Sequence, residues 1–192
     1  DRSVSRGLGD VYKRQVLAFY KPVGVTCTER DPHAEKKIMD MIRYPERLTY
    51  AGRLDKDSEG LILLTNDGDL INAMMRGANR HEKEYIVKTD REITPDFLEK
   101  MAKGIYLKDL DITTRECEIE QIGKFTFRIV LTQGVNRQIR RMCEACGYRV
   151  KALKRIRIMN ILLGDLKPGK WREVTGEELE QLQRDTGMLN RK

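Results

Sequence analysis

Histidine and tryptophan are scarce in this 192-residue chain, with two His and one Trp, and cysteine occurs four times. The histidines, His33 and His81, and one close thiol pair do not supply the ligand sets or spacings of a zinc site. Cys27, Cys117, Cys143 and Cys146 are too few for a disulfide scaffold and read as reduced thiols of a cytoplasmic protein. The spacing of Cys143 and Cys146 matches the apolar face of a helix, so packing accounts for the pair better than metal or redox chemistry. No apolar run approaches 18 residues, which excludes a membrane-spanning helix. Neither Gly-x-Ser-x-Gly nor Gly-x-x-x-x-Gly-Lys-Ser/Thr occurs, so hydrolase and P-loop readings lose their usual anchors. What remains is a globular chain with 40% hydrophobic residues, enough to bury a core, and 35% charged residues.

The formal charge is +7, and it is localised. Between Gly134 and Asn160 stand Arg137, Arg140, Arg141, Arg149, Lys151, Lys154, Arg155 and Arg157 against the single acid Glu144. That stretch carries the whole net charge, so the rest of the chain balances to zero. A patch of this kind suits a phosphate-bearing partner, although a solvated basic face would read the same from charge alone.

Residues 1–15 have little hydrophobic content and no period, and are set apart as a non-native leader. One domain is expected over 16–185, with 186–192 as a tail. Its first strand is Val16–Tyr20, followed by a Lys21-Pro22-Val23-Gly24 turn and a short helix within Lys36–Arg43. Strands are expected at Leu61–Leu64, Glu84–Lys88, Arg115–Ile122 and Phe125–Thr132, with a short helix carrying Leu70, Ile71, Met74 and Met75. Thr94-Pro95 starts a helix that buries Phe97, Leu98, Met101 and Ala102 and ends at Gly104. A further helix begins near Asn136, with Ile139, Met142, Cys143 and Cys146 inward and Arg137, Arg140 and Arg141 around its other sides, and Gly147 caps it. Arg155-Ile156-Arg157-Ile158 alternates as a strand whose arginines are expected to form one basic wall with that helix. Thr175-Gly176-Glu177-Glu178 reads as a capping box for a terminal helix.

The densest polar cluster is Gly52-Arg53-Leu54-Asp55-Lys56-Asp57-Ser58-Glu59-Gly60, ahead of the apolar run Leu61–Leu64. Loops in this position commonly present reactive groups, yet an ordinary charged connection fits the same residues.

Four motifs in order resolve that ambiguity. Gly52-Arg53-Leu54-Asp55 with Ser58-Glu59-Gly60-Leu61 and Leu64-Thr65-Asn66-Asp67-Gly68 resembles the central motif of RNA pseudouridine synthases of the RsuA/RluB/RluE/RluF branch. Lys21-Pro22-x-Gly24 resembles the opening motif, His81-Glu82-Lys83-Glu84-Tyr85 the tyrosine motif, and Asn136-Arg137-Gln138-Ile139-Arg140-Arg141-Met142 the arginine motif. The resemblance runs from about Val16 to Trp171. The His-Glu-Lys-Glu-Tyr run and Arg157-Ile158-Met159-Asn160 are most similar to the RluF-like enzymes of large-subunit (23S) ribosomal RNA. Two departures stand out. Tyr20 replaces the usual Asn before Lys-Pro at a position that reads as structural, and the match starts without the S4-type RNA-binding domain that relatives carry upstream.

The resemblance implies an α+β pseudouridine synthase fold with a mixed, mostly antiparallel sheet, flanking helices and a basic cleft. It implies isomerisation of uridine to pseudouridine in ribosomal RNA, with 16S ribosomal RNA or tRNA as alternative substrates, no cofactor and no metal. Asp55 would act on the sugar, by attacking C1′ or by abstracting a proton on a glycal route. Tyr85 would lie against the base, and Arg140 is the expected cation beside Asp55. Arg53, Lys83, Arg137, Arg141, Lys154, Arg155 and Arg157 would contact the RNA. A cytoplasmic monomer with no membrane contact is expected. The competing reading is a non-catalytic RNA-binding or ribosome-assembly factor on the same scaffold, which would tolerate loss of Asp55.

Overall fold

Two apolar runs, Val-Leu-Ala-Phe-Tyr and Leu-Ile-Leu-Leu, are buried on both faces and therefore form adjacent inner strands rather than amphipathic edges. In the computed structural model, which describes residues 14–27, 38–76 and 80–188, these are β1 (Val16–Lys21) and β3 (Glu59–Thr65), paired antiparallel from Val16–Thr65 to Lys21–Gly60. The remaining strands are β2 (Thr49–Tyr50), β4 (Lys83–Thr89), β5 (Tyr106–Leu107), β6 (Ile112–Thr113), β7 (Glu118–Gly123), β8 (Thr126–Leu131), β9 (Val150–Ile158), β10 (Ile161–Leu162) and β11 (Trp171–Glu173). The helices are α1 (Ile38–Met41), α2 (Gly68–Arg76), α3 (Pro95–Lys103), α4 (Gln138–Ala145) and α5 (Gly176–Asp185).

The main sheet runs β11-β1-β3-β9-β4-β8-β7, with β10 on β9, β2 on β3, and β5–β6 forming a separate ribbon. Its pairings are antiparallel except β3 with β9, which meet in parallel at Glu59–Lys154 and Gly60–Arg155. That junction joins the two halves of the sheet. Gly60 is at φ +112, and a Cβ there would overlap the Arg155 carbonyl oxygen and lie 2.8 Å from the Arg155 nitrogen. Only glycine allows the strands this approach.

The mixed, mostly antiparallel α+β architecture follows the sequence expectation, as do the helices and, within a few residues, β1, β3, β4, β7 and β8; β9 starts five residues before its expected start, and β2, β5, β6, β10 and β11 have no expected counterpart. Thr94 accepts a hydrogen bond from the Phe97 amide at 3.1 Å, with Pro95 opening α3 and Phe97 and Met101 buried. At the end of α4, Tyr148 N donates to Cys143 O and Gly147 N to Glu144 O, a Schellman closure around Gly147 at φ +80. Thr175 makes no side-chain cap, and the Glu178 carboxylate that would complete a capping box is held by Arg172 at 2.6 and 2.9 Å. The expected helix within Lys36–Arg43 is described only from Ile38, and His33 and residues 1–13 lie outside the described residues. Of the leader segment, Gln15 is tied to the fold, its amide donating to Asn66 Oδ1 at 2.7 Å and its carbonyl accepting from Thr65 Oγ1 at 2.6 Å.

Candidate active site

The polar segment 52–58 leaves Ala51 and enters β3, and four contacts hold it in place. Lys21 is completely buried at the end of β1, where its Nζ donates to the carbonyls of Pro22 (2.7 Å), Val25 (2.8 Å) and Lys56 (3.4 Å). Gly24, at φ +89, donates its amide to the same Lys56 carbonyl at 2.8 Å, so the Lys-Pro-x-Gly turn grips the segment by its middle. The Cys27 thiol donates to Leu54 O at 3.2 Å. From the far side, Arg155 donates through Nε to Leu61 O at 2.8 Å and through Nη1 to Arg53 O at 3.3 Å. Desolvation of Lys21 pushes its ammonium down to about 8, against the opposing pull of Cys27, Asp57, Asp55 and Glu59. Tyr20, the departure from the family motif, is buried and donates to Glu59 Oε1 at 3.1 Å; burial and that carboxylate raise the phenol to about 12.

The held segment faces the start of α4. Arg137 occupies the N-cap position at φ 51 and ψ 36, a left-handed conformation that costs about 1 kcal/mol for a residue with a Cβ. This turn swings its guanidinium onto both acids. Nη1 lies 3.3 Å from Asp55 Oδ2 and 3.0 Å from Asp57 Oδ1, and Nη2 donates to Asp57 Oδ2 at 2.9 Å. Arg140, one turn on and mostly buried, donates to the Asp57 carbonyl at 3.0 Å and Ser58 Oγ at 3.1 Å, with Nη1 3.5 Å from Asp57 Oδ2. The hydrogen bonds from Arg137 hold the Asp57 carboxyl below its usual range despite partial desolvation. The arginine on Asp55 is thus Arg137, whereas Arg140, the residue expected beside Asp55, fastens the next turn of the segment.

These groups line a cleft of about 360 Å³. Asp55, Tyr85, Arg140, Arg53, Lys83, Arg137 and Arg155 all face it, joined by Ser58, Met74, Met75, His81 and Asn136. Three expected RNA-contact residues lie elsewhere. Lys154 is on the opposite face of β9 from Arg155, Arg157 is paired with Glu82 (3.3 Å) and Glu84 (3.1 Å), and Arg141 turns back onto the Asn136 carbonyl at 2.9 Å. Arg155 lines the cleft yet is only 4% exposed, so it does not form an outer basic wall with Arg157. Asp57, Ser58 and Lys21 carry no role that the sequence reveals. Their signal is position alone: two follow Asp55 within one turn, and one precedes a Pro after an apolar strand.

The four cysteines are free, and burial drives the Cys143 thiol up to about 12, consistent with a packed rather than reactive side chain. Among the described residues no group of three or more His, Cys, Asp or Glu side chains is placed to hold a metal ion, and no helix is long and apolar enough to cross a membrane.

Comparison with known proteins gives one consistent result. The RNA pseudouridylate synthase family matches residues 15–145. The dual-specificity RNA pseudouridine synthase RluF of Escherichia coli K12 is 47% identical over 167 residues, covering 87% of this chain and 57% of RluF. The ribosomal large subunit pseudouridine synthase B of Vibrio cholerae is 34% identical over 177 residues, covering 88% of this chain and 54% of the relative. The chain therefore spans a little over half the length of these curated relatives. A crystal structure of a pseudouridylate synthase superposes with a TM-score of 0.82 at 29% identity, over 88% of this chain and 74% of that one.

Proposed function

This chain belongs to the RNA pseudouridylate synthase family, and from that premise we propose that it isomerises a specific uridine of ribosomal RNA to pseudouridine, with Asp55 acting on the sugar. The observation that carries the reading is the placement of Asp55: a carboxylate on a segment held by four contacts, open to a cleft and held against one guanidinium. In either route the base leaves C1′, turns, and reattaches through C5. The step needs the Asp55 carboxylate oriented toward the sugar, and the Arg137 guanidinium lies 3.3 Å from its Oδ2. Tyr85 lies on the cleft wall beside Arg155 across the β4–β9 pair, where its ring can stack on the base and its hydroxyl is available for the C5 proton. The uridine must be turned out of the RNA to enter, at a cost of about a few kcal/mol that backbone contacts from Arg53 and other rim cations offset.

Ribosomal RNA of the large subunit is the favoured substrate, because RluF and the Vibrio cholerae large-subunit synthase each match most of the chain. A substrate of that kind implies work in the cytoplasm. The test is chemical mapping of pseudouridine in unmodified ribosomal RNA incubated with the full chain or with Asp55→Ala. One new site that requires the aspartate supports the reading. Salt-sensitive binding with no new site in free RNA or immature ribosomal particles would instead favour a non-catalytic binding factor.

A further inference from the structure

Strand alternation puts Lys83 and Tyr85 on the same face of β4, and both line the cleft. Arg155 pairs across from Tyr85 and lines the cleft from β9. The acids near these cations are already engaged. Asp55 and Asp57 face Arg137, while Glu82 and Glu84, on alternate positions of the same segment, pair with Arg157 and, for Glu84, Arg128. Among the described residues neither Lys83 nor Arg155 has a carboxylate partner: Arg155 is spent on two backbone carbonyls, which leave its charge uncompensated. Burial, and then the charge of Arg155, push the Lys83 ammonium down to about 8. A part-buried cation next to a buried guanidinium is costly unless an anion arrives to join them.

The reaction supplies that anion, if the isomerase reading above is right. When the C1′–N1 bond breaks, its electron pair goes to N1 and spreads over the ring oxygens. Asp55 loses its negative charge in the same event, either by forming an ester bond to C1′ or by taking the C2′ proton. The charge has moved from Asp55 to the base, away from Arg137. When C5 then bonds to C1′, the C5 proton leaves, N1 regains a proton, and Asp55 returns to a carboxylate. We propose that Lys83 is a catalytic residue whose ammonium, together with the Arg155 guanidinium, holds the negative charge that develops on the uracil ring as the C1′–N1 bond breaks.

A leaving-group comparison tests this. Single-turnover consumption of the target nucleoside is measured by nucleoside chromatography for an RNA carrying the mapped uridine and for the same RNA with 5-fluorouridine there, whose fluorine stabilises the base anion without help from the protein and which, having no C5 proton to lose, stops at the C5-glycosylated adduct. Lys83→Gln should slow the uridine RNA by about 10²–10³-fold, the usual cost of removing one charge-stabilising donor. The loss on the fluorinated RNA should be much smaller, within about tenfold, and the RNA dissociation constant should stay close to that of the unaltered protein. Lys83→Arg, which keeps the cation, should retain most of the rate and controls for folding. Full activity of Lys83→Gln, or equal losses on both RNAs accompanied by weakened binding, would overturn the assignment, the latter pointing to a backbone phosphate as the partner. If the unaltered chain converts neither RNA, the isomerase reading fails and takes this assignment with it.

Discussion

The guanidinium of Arg137 reaches Asp55 at 3.3 Å from an N-cap residue in the left-handed conformation. Arg140, three residues on, instead donates to the Asp57 carbonyl and Ser58 Oγ. The two arginines of one motif therefore have different work. Arg137→Met should lower the single-turnover rate by about 10²–10³-fold with little change in thermal stability, because it removes the guanidinium that holds the Asp55 carboxylate in the cleft. Arg140→Met strips a mostly buried donor from the segment and should cost about 1.5–3 kcal/mol, a fall in Tm of several degrees. Melting curves and rates on the two variants separate these roles, and the reverse pattern would refute the division.

Gly60 lets β3 and β9 meet. Gly60→Ala combines positive-φ strain with overlap on the Arg155 backbone and should destabilise the protein by about 3 kcal/mol or more. Arg155 would be displaced from Leu61 O and Arg53 O, so activity should fall further than unfolding explains. Urea unfolding alongside activity of the folded fraction checks both parts.

The Asp57–Arg137 pair fixes a pH dependence. Hydrogen bonding to Arg137 lowers the folded-state carboxyl below its ordinary value, so the pair's stabilisation is fully present above the unfolded pKa near 3.8 and is lost as pH falls through the lower folded value. With Asp57 at 49% exposure and Arg137 at 40%, solvent screening keeps the contribution below about 1 kcal/mol. The stability gap between the unaltered protein and Asp57→Asn, measured by urea unfolding, should be constant from about pH 5 to 8 and close in acid. A gap that widens on acidification would contradict the pairing.

RNA affinity should depend on which cations are already committed. Arg53 is exposed and lines the cleft, whereas Arg157 is held by Glu82 and Glu84. Arg53→Gln should reduce the slope of log affinity against log salt by about 1, and Arg157→Gln should leave it nearly unchanged. Titrations at several salt concentrations read this directly.

Legibility in the sequence follows the range of the interactions. Helix α3 was legible because its signals are local: Thr94, Pro95 and the Phe97–Met101 stripe set its start and its face. The parallel contact of Gly60 with Arg155 was not, since strand pairing across almost a hundred residues leaves no period in the sequence. Alternation in 155–158 places both arginines on one face, but a bulge opposite Glu84–Tyr85 breaks it: Arg155 turns into the cleft beside Tyr85 and is buried, while Arg157 turns to Glu82 and Glu84 on the other face. Likewise Asp55 could be found from its motif, while its cation could not. Both Arg137 and Arg140 stand in the arginine motif, and the left-handed turn at Arg137 decides which of them reaches Asp55.

The most direct measurement is tritium release from ribosomal RNA labelled at uridine C5, under single-turnover conditions, comparing the full chain with Asp55→Asn at matched RNA occupancy. Carbon–carbon bond formation at C5 must expel that label. The account predicts release by the unaltered protein and at least about a thousandfold loss in Asp55→Asn, with RNA binding retained. Release at an undiminished rate without the carboxylate, or tight binding with no release by the unaltered chain, would contradict it.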